Sequence, residues 1–195
     1  SALSLIDRIL ASNGQLSVLV TTGTITSAEM LNARLPDGSF HQFVPVDRLS
    51  WVCRFLNHWQ PDLAIWIESE FWPNLITETL RRNIPTILVN GRISARSFKN
   101  WRLAPGLIRT LLSGFNICFA QTEIEAKRLR ILGARDVRCR GNLKFSAQVL
   151  PVDGSQLAIM QKAVEKRPVW LAASTHPGEE AMVVAAHIIL RKTLP

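Results

Sequence analysis

The chain has 195 residues, of which 47% are hydrophobic and 19% are charged. This composition is typical of a well-packed globular protein and excludes a disordered chain, and the length suits one large domain or one domain with part of another. Lys and Arg (23) exceed Asp and Glu (15), which gives a formal net charge of +8. The excess favours an anionic partner: nucleic acid, a phosphorylated metabolite or an anionic membrane surface.

The cysteines and the apolar runs argue against a disulfide-bonded protein, a cysteine metal site and a membrane-spanning helix. Cys53, Cys118 and Cys139 are widely spaced and have apolar or strand-like neighbours, so we expect reduced thiols rather than disulfides or a metal site. No apolar run reaches the roughly 18 to 20 residues that a membrane-spanning helix needs.

The first quarter of the chain predicts a helix over 2–11, a strand over 16–20 and a helix over about 28–34. The hydroxyl-rich segment 21–27 could hold an anion with its backbone N–H groups, but helix capping by Ser27 is favoured. A strand over 40–44 precedes a helix whose Trp51, Val52, Phe55, Leu56 and Trp59 have helical spacing and are expected in the core.

An apolar strand over 63–67 ends on two carboxylates, Glu68 and Glu70, and a helix is predicted over 72–82. Ligands of open α/β sheets bind beyond the carboxyl ends of the strands, so both carboxylates are candidates for chemistry. Glu70 could equally cap the following helix. A carboxylate that closes a buried strand needs a partner or a function, so Glu68 is the stronger candidate.

The next strand, 85–89, leads into a basic amphipathic segment over 95–113 with a break at Pro105 and Gly106. Such a segment suits either an anionic membrane surface or an ordinary solvated face. A strand over 116–120, a helix over 122–132 that ends at Gly133, and a strand over 137–140 follow. This sustained alternation predicts an α/β fold with a doubly wound, Rossmann-like parallel sheet.

A change in composition near 148–155 suggests a domain boundary. We predict an N-terminal domain over 1–150 without its first strand, a connection over 151–166 with a helix to Lys166, and the start of a second domain over 167–195. That last part is expected to begin with a strand over 167–173 and to close with an amphipathic helix.

Five polar stretches occur in one order along the chain: the threonine-rich 21–26, Glu-Ser-Glu-Phe-Trp-Pro-Asn at 68–74, Asn-Gly-Arg-Ile-Ser at 90–94 with Arg-Ser at 96–97, Gly-Asn-Leu-Lys-Phe at 141–145, and Ser-Thr-His-Pro-Gly-Glu-Glu at 174–180. The residues of these five stretches, their order and the distances between them resemble those of the 3-deoxy-D-manno-octulosonic acid (Kdo) transferases of lipopolysaccharide assembly. That resemblance implies an inverting glycosyltransferase of the GT-B fold.

The resemblance also implies partners and roles. The donor would be CMP-Kdo, the acceptor lipid IVA, and the place the cytoplasmic face of the bacterial inner membrane, with no metal, cofactor or nucleic acid. Glu68 and Lys144 would be catalytic residues that stabilise the transition state. The substrate-binding residues would be Glu70, Arg92, Ser94, Thr175 and His176, although Ser174 or Thr175 could instead cap a helix.

The chain departs from the family pattern in ways that bear on activity. The family's general base, a glutamate, would align just before Ser1, and the nucleotide-binding motifs of the second domain would lie beyond Pro195. The chain is therefore expected to be an incomplete fragment that is inactive alone. Gly91 also stands where alanine is usual, and Gly23, Ile25 and Ser27 differ from the usual residues in their loop.

Two other functions stay open. One is a GT-B transferase that uses another nucleotide sugar. The other is a non-catalytic module that binds anions or lipid. Nucleic-acid binding is disfavoured, because the basic residues are scattered along an α/β pattern and no DNA- or RNA-binding motif is present.

Overall fold

A computed structural model describes residues 2–146, 152–165 and 168–193. The chain divides into two compact units, Ser1–Gln148 and Val149–Pro195. The strands of the first unit are β1 (Val18–Thr22), β2 (Ser39–Phe43), β3 (Ala64–Ile67), β4 (Thr86–Gly91), β5 (Ile117–Ala120) and β6 (Val137–Cys139). Its helices are α1 (Ala2–Ser12), α2 (Ile25–Asn32), α3 (Leu49–Trp59), α4 (Pro73–Arg81), α5 (Ala95–Trp101), α6 (Pro105–Ser113) and α7 (Glu123–Leu132), followed by a 3-10 helix over Leu143–Ser146.

All strand pairings in the described residues are parallel, which confirms the predicted α/β class with parallel sheets. The six strands form two sheets rather than one: β1 pairs with β2, and the other four lie in the order β3-β4-β5-β6. Each parallel connection within the larger sheet runs through helices, as a parallel crossover requires. The carboxyl ends of β3 to β6 therefore meet at one edge.

The main core lies on the four-stranded sheet. Leu88 of β4 and Cys118 of β5 pack with fully buried leucines and isoleucines of α4, α6 and α7. Burial, with the nearby charge of Asp136, raises the pKa of the Cys118 thiol to about 12. Cys118 is thus a neutral packing group.

A smaller core joins α3 to α4. Val52 and Leu56 are buried against Leu75, with Trp66 of β3 at the side. The expectation that every aromatic residue of α3 is buried is wrong for Trp51, which is 47% exposed because it lies outside the face that carries Val52 and Leu56.

A polar network also connects α3 and α4. The buried Glu78 carboxylate accepts hydrogen bonds from Arg82 at 2.8 Å, from Arg81 at 3.1 Å and from the Cys53 thiol at 3.6 Å. Arg82 also donates to the side-chain oxygen of Asn57 at 2.9 Å. Burial alone would raise the pKa of Glu78, but the hydrogen bond from Arg82 and the charge of Arg81 outweigh it and lower that pKa.

Several boundaries differ from the predicted ones. β1 begins two residues later than expected and includes Thr21 and Thr22, whose β-branched side chains suit a strand and which pair with Gln42 and Phe43. Thr24, not Ser27, caps α2: its hydroxyl accepts the N–H of Ser27 at 3.3 Å. The break predicted in the basic segment is confirmed, because α5 ends at Trp101 and Pro105 opens α6.

The second unit contains α8 (Gly154–Val164) and α9 (Glu179–Thr193). The predicted strand over 167–173 is wrong for residues 168–173, which have no regular secondary structure. A strand needs a neighbour to complete its hydrogen bonds, and no strand occurs among the described residues of this unit. Lys166, Arg167 and the predicted boundary at 150–151 lie outside the described residues.

Candidate functional site

Polar side chains follow each strand of the four-stranded sheet at its carboxyl edge. Glu68 follows β3, Asn90 lies near the end of β4, Gln121 follows β5, and Arg140 and Lys144 follow β6. In open α/β proteins this edge is where ligands bind. The predicted site residues of the first unit therefore lie along one edge of one sheet.

Glu68 has an unusual backbone conformation for its residue type. Its φ is 63°, in the left-handed region that non-glycine residues seldom adopt, and its N–H donates to the carbonyl oxygen of Val89 at 2.9 Å. Among the described residues, no group donates a hydrogen bond to its half-buried carboxylate or forms an ion pair with it. Strained backbone with an unpaired charge is a combination found at functional sites.

The loop after β3 is attached to the loop after β4. The Ser69 hydroxyl donates to the carbonyl oxygen of Arg92. The Arg92 guanidinium remains mostly exposed, with its Nε 3.9 Å from a carboxylate oxygen of Glu125 on α7. Arg128 supports the same loop from α7 by donating to the carbonyl oxygen of Ile93 at 2.6 Å. Arg92 is thus held at the edge with its charge open to solvent.

The alternative role for Glu70, capping of α4, is wrong because another residue caps that helix. The Asp47 carboxylate accepts hydrogen bonds from the N–H of Asn74 at 3.1 Å and from that of Leu75 at 2.8 Å. Glu70 itself is exposed, and its side chain has no hydrogen-bond partner among the described residues. Its assignment as a substrate-binding residue stays a prediction.

Ser94 has a structural role that the sequence did not separate from binding. It is the N-cap of α5, where its hydroxyl oxygen accepts the N–H of Ser97 at 3.1 Å. Its hydroxyl hydrogen is not used in that bond. Ser94 can therefore cap the helix and still donate to a ligand.

Asn90 was not among the predicted site residues. It is 2% exposed and has a φ of 57°. Its carbonyl oxygen accepts from the Gln121 amide at 3.1 Å, and its side-chain oxygen accepts from the N–H of Leu143 at 3.0 Å. The asparagine-glycine pair at the end of a strand was the available signal, since asparagine tolerates the left-handed region.

Lys144 lies in the 3-10 helix after β6. The side chain of Asn142 fixes this turn by accepting the N–H of Lys144 at 2.9 Å. The lysine is exposed, and no carboxylate lies within ion-pair distance in the described parts of the chain. Its ammonium group is free to meet an anion.

The predicted residues of the second unit take part in a helix-capping pattern before α9. The Thr175 hydroxyl donates to Glu180 at 2.9 Å, and the backbone N–H of His176 donates to Glu179 at 2.8 Å. The N–H of Glu180 itself and the hydroxyl of Thr175 lower the pKa of Glu180. The Thr175 hydroxyl thus donates to a side chain and accepts no N–H of α9 in the described residues, so its alternative role as a cap is not observed. The ring of the exposed His176 has no hydrogen-bond partner among those residues.

The described residues contain neither a metal-binding cluster nor a membrane-spanning helix. No cluster of three or more His, Cys, Asp or Glu side chains could hold a metal ion among them. No helix within the described ranges is both long enough and apolar enough to cross a bilayer.

Comparison with known proteins shows the chain's relatives. The family model described as 3-deoxy-D-manno-octulosonic-acid transferase (Kdo transferase) matches residues 1–147. The 3-deoxy-D-manno-octulosonic acid transferase of Rickettsia felis is 38% identical over 184 residues, which are 94% of this chain and 39% of that protein. Its counterpart in Haemophilus influenzae is 35% identical over 185 residues, 92% of this chain and 43% of that protein.

A plant protein is similar to the same degree. The probable mitochondrial 3-deoxy-D-manno-octulosonic acid transferase of Arabidopsis thaliana is 35% identical over 187 residues, 92% of this chain and 42% of that protein. The chain thus spans about two fifths of the length of these relatives.

Proposed function

The chain belongs to the Kdo transferase family, and on that premise we propose that the whole protein transfers Kdo from CMP-Kdo to lipid IVA. The enzyme is an inverting glycosyltransferase of the GT-B fold. Residues 1–150 form its acceptor-side domain, and residues 167–195 begin its nucleotide-sugar domain. The observation that carries this proposal is the Glu68 carboxylate, which lies on strained backbone at the carboxyl edge of the sheet and has no partner among the residues that the structure describes.

In the proposed reaction a hydroxyl oxygen of the acceptor attacks the anomeric carbon of Kdo. The bond from that carbon to the CMP phosphate breaks, and CMP leaves with the bonding electrons. The hydroxyl proton goes to a general base, a role for which we assign no residue of this chain. No metal and no cofactor take part.

Glu68 and Lys144 stabilise the transition state in this scheme. The carboxylate of Glu68 offsets positive charge that develops on the sugar ring as the leaving group departs. The ammonium of Lys144 offsets negative charge on departing CMP or on the carboxylate of Kdo. Glu70, Arg92, Ser94, Thr175 and His176 bind the substrates.

The charge of the chain supports anionic substrates. Its formal net charge of +8 suits a donor with a phosphodiester and a carboxylate and an acceptor with phosphate groups. Nucleic acid is not a partner in this proposal, since no nucleic-acid-binding motif is present.

The exposed part of the basic segment supports binding to an anionic membrane surface, here the cytoplasmic face of the bacterial inner membrane. Leu103 between α5 and α6 is 85% exposed, and Leu107 is 44% exposed. Exposed apolar side chains among basic ones are typical of interfacial binding. The basic neighbours in sequence are Arg96, Lys99, Arg102 and Arg109.

A transfer assay on the whole protein tests the proposal. Incubation with CMP-Kdo and lipid IVA should increase the mass of the lipid by one or more Kdo units, and CMP should inhibit more strongly than UDP. Stronger inhibition by UDP would indicate another nucleotide-sugar transferase. Binding of lipid IVA without any transfer would indicate a non-catalytic lipid-binding module.

A further inference from the structure

The side-chain amide of Asn90 has one group without a partner. Its oxygen is fixed by the N–H of Leu143, so the amide orientation is set and Nδ2 is the remaining donor. Nδ2 is buried, and no described group accepts a hydrogen bond from it. A buried donor without an acceptor is unfavourable, so an acceptor at this place is expected.

Asn90 borders a cavity of about 270 Å³ at the carboxyl ends of β4, β5 and β6. Val89 and Phe119 contribute apolar walls, and Leu5 of α1 lines another side. This volume is slightly below the roughly 300 to 1,000 Å³ of typical ligand pockets, so it suits one small group of a larger ligand.

Arg140 is the charged residue among those that line the cavity. It is exposed, and no carboxylate lies within ion-pair distance of it in the described residues. The chain turns sharply after it, since Gly141 has a φ of +80° and open space where a Cβ would lie. A guanidinium at the cavity and an unused amide donor on Asn90, a residue that lines the same cavity, are complementary to an oxyanion.

We infer that this cavity binds a carboxylate or phosphate group of a ligand, with Asn90 Nδ2 as a hydrogen-bond donor and Arg140 as the counter-charge. Asn90 and Arg140 are then binding residues in addition to those that the sequence predicted. The choice of Kdo as the carboxylate to test rests on the proposed function, whereas binding of an oxyanion does not depend on it.

The test follows the resonances of Asn90 and Asn142 by NMR in the whole protein labelled with 15N-asparagine, at pH 8. Asn142 also lines the cavity and reports binding when Asn90 is changed. The two probes are inorganic phosphate, which has no carboxylate, and free Kdo, which has no phosphate. A saturable shift with only one probe identifies the group that the cavity prefers, and a shift with both also supports the inference.

Asn90→Asp removes the donor and adds a negative charge, both of which oppose an oxyanion, while aspartate keeps the oxygen that accepts from Leu143 and tolerates the left-handed backbone. Asn90→Asp and Arg140→Gln should each weaken binding about ten- to a hundredfold, as expected for a hydrogen bond to a charged group. Asn83→Asp and Arg135→Gln are matched controls and should bind within twofold of wild type. Asn83 also has a positive φ (55°), and exposed Arg135 precedes the opposite end of β6.

Absence of a saturable shift with both probes would overturn the inference, as would wild-type binding by Arg140→Gln. If Asn90→Asp does not fold, the binding affinity of Arg140→Gln for the two probes tests the inference alone, because an exposed arginine can be replaced without loss of packing. Failure of transfer by the wild-type protein would contradict the proposed function and leave the outcome of this binding test unchanged.

Discussion

The carboxylate of Asp47 accepts a hydrogen bond at 2.8 Å from the backbone N–H of Leu75, 28 residues later in the chain. A second bond from the N–H of Asn74, at 3.1 Å, completes the cap of α4. The segment before α3 thus fixes the start of the helix that follows Glu68 and Glu70. Both carboxylates are thereby left free of any capping role.

Asp47→Ala should reduce the free energy of unfolding by about 1–2 kcal/mol, because two N–H groups of α4 lose their acceptor. Urea denaturation followed by circular dichroism measures the effect. Asp62→Ala is the control, since Asp62 is exposed and has no hydrogen-bond partner among the described residues. Equal stability of the two variants would mean that the cap contributes nothing.

Glu78→Gln should make the protein less stable at pH 7 by about 1–3 kcal/mol, because the bonds from the arginines lose their charged acceptor. The folded state lowers the pKa of Glu78 below its ordinary 4.5. Its contribution to stability is therefore complete above pH 4.5 and disappears as the pH falls through the folded-state pKa.

The difference in unfolding free energy between wild type and Glu78→Gln should accordingly be large at pH 7 and should shrink as the pH is lowered below 4.5, as measured by urea unfolding at a series of pH values. Glu29→Gln, on an exposed face of α2, should show no such gap. A gap that widens in acid would contradict the sign of the pKa shift.

Gly91→Ala should destabilise the protein. A Cβ at Gly91 would lie 2.9 Å from Cδ2 of the buried Leu88 and 3.3 Å from Cδ1 of Leu129. We expect a loss of about 1–3 kcal/mol from overpacking. The double variant with Leu88→Val should lose less than the sum of the two single variants, in thermal or urea unfolding. A loss of unfolding free energy in the double variant equal to the sum of the two single losses would show that Leu88 does not crowd the position of the alanine Cβ.

The local pattern of the sequence was enough to predict the parallel α/β class and most of the elements. Strand periodicity, the break at Pro105 and the stop at Gly133 depend on residues near in sequence, where propensity and turn chemistry decide. The strand predicted over 167–173 is not formed at residues 168–173, because a strand also depends on a neighbouring strand, which its own residues cannot supply.

The missed features of the site are long-range ones. The cap from Asp47 to α4 and the bond from Leu143 to Asn90 join segments that are 27 or more residues apart. The residues next to Glu70 in sequence give no sign that the carboxylate of Asp47 caps α4 instead of Glu70. The positions of Glu68, Arg92 and Lys144 at the carboxyl edge could be predicted, because strand ends of a parallel sheet share an edge.

The most direct test of the account is the rate of Kdo transfer by Glu68→Gln in the whole protein. Glutamine keeps the shape of the side chain and one acceptor oxygen, and it replaces the charged second oxygen by a neutral amide group, so the variant should fold as wild type does. Loss of one preorganised electrostatic group at the transition state should lower kcat about a hundred- to a thousandfold. Glu29→Gln is the control for the same change of charge elsewhere.

The measurement is kcat with CMP-Kdo and lipid IVA at saturation, together with the melting temperature of each variant. We predict a kcat reduced by at least about a hundredfold for Glu68→Gln, with an unchanged melting temperature and a wild-type rate for Glu29→Gln. A folded Glu68→Gln protein that transfers Kdo at the wild-type rate would contradict the catalytic role of Glu68.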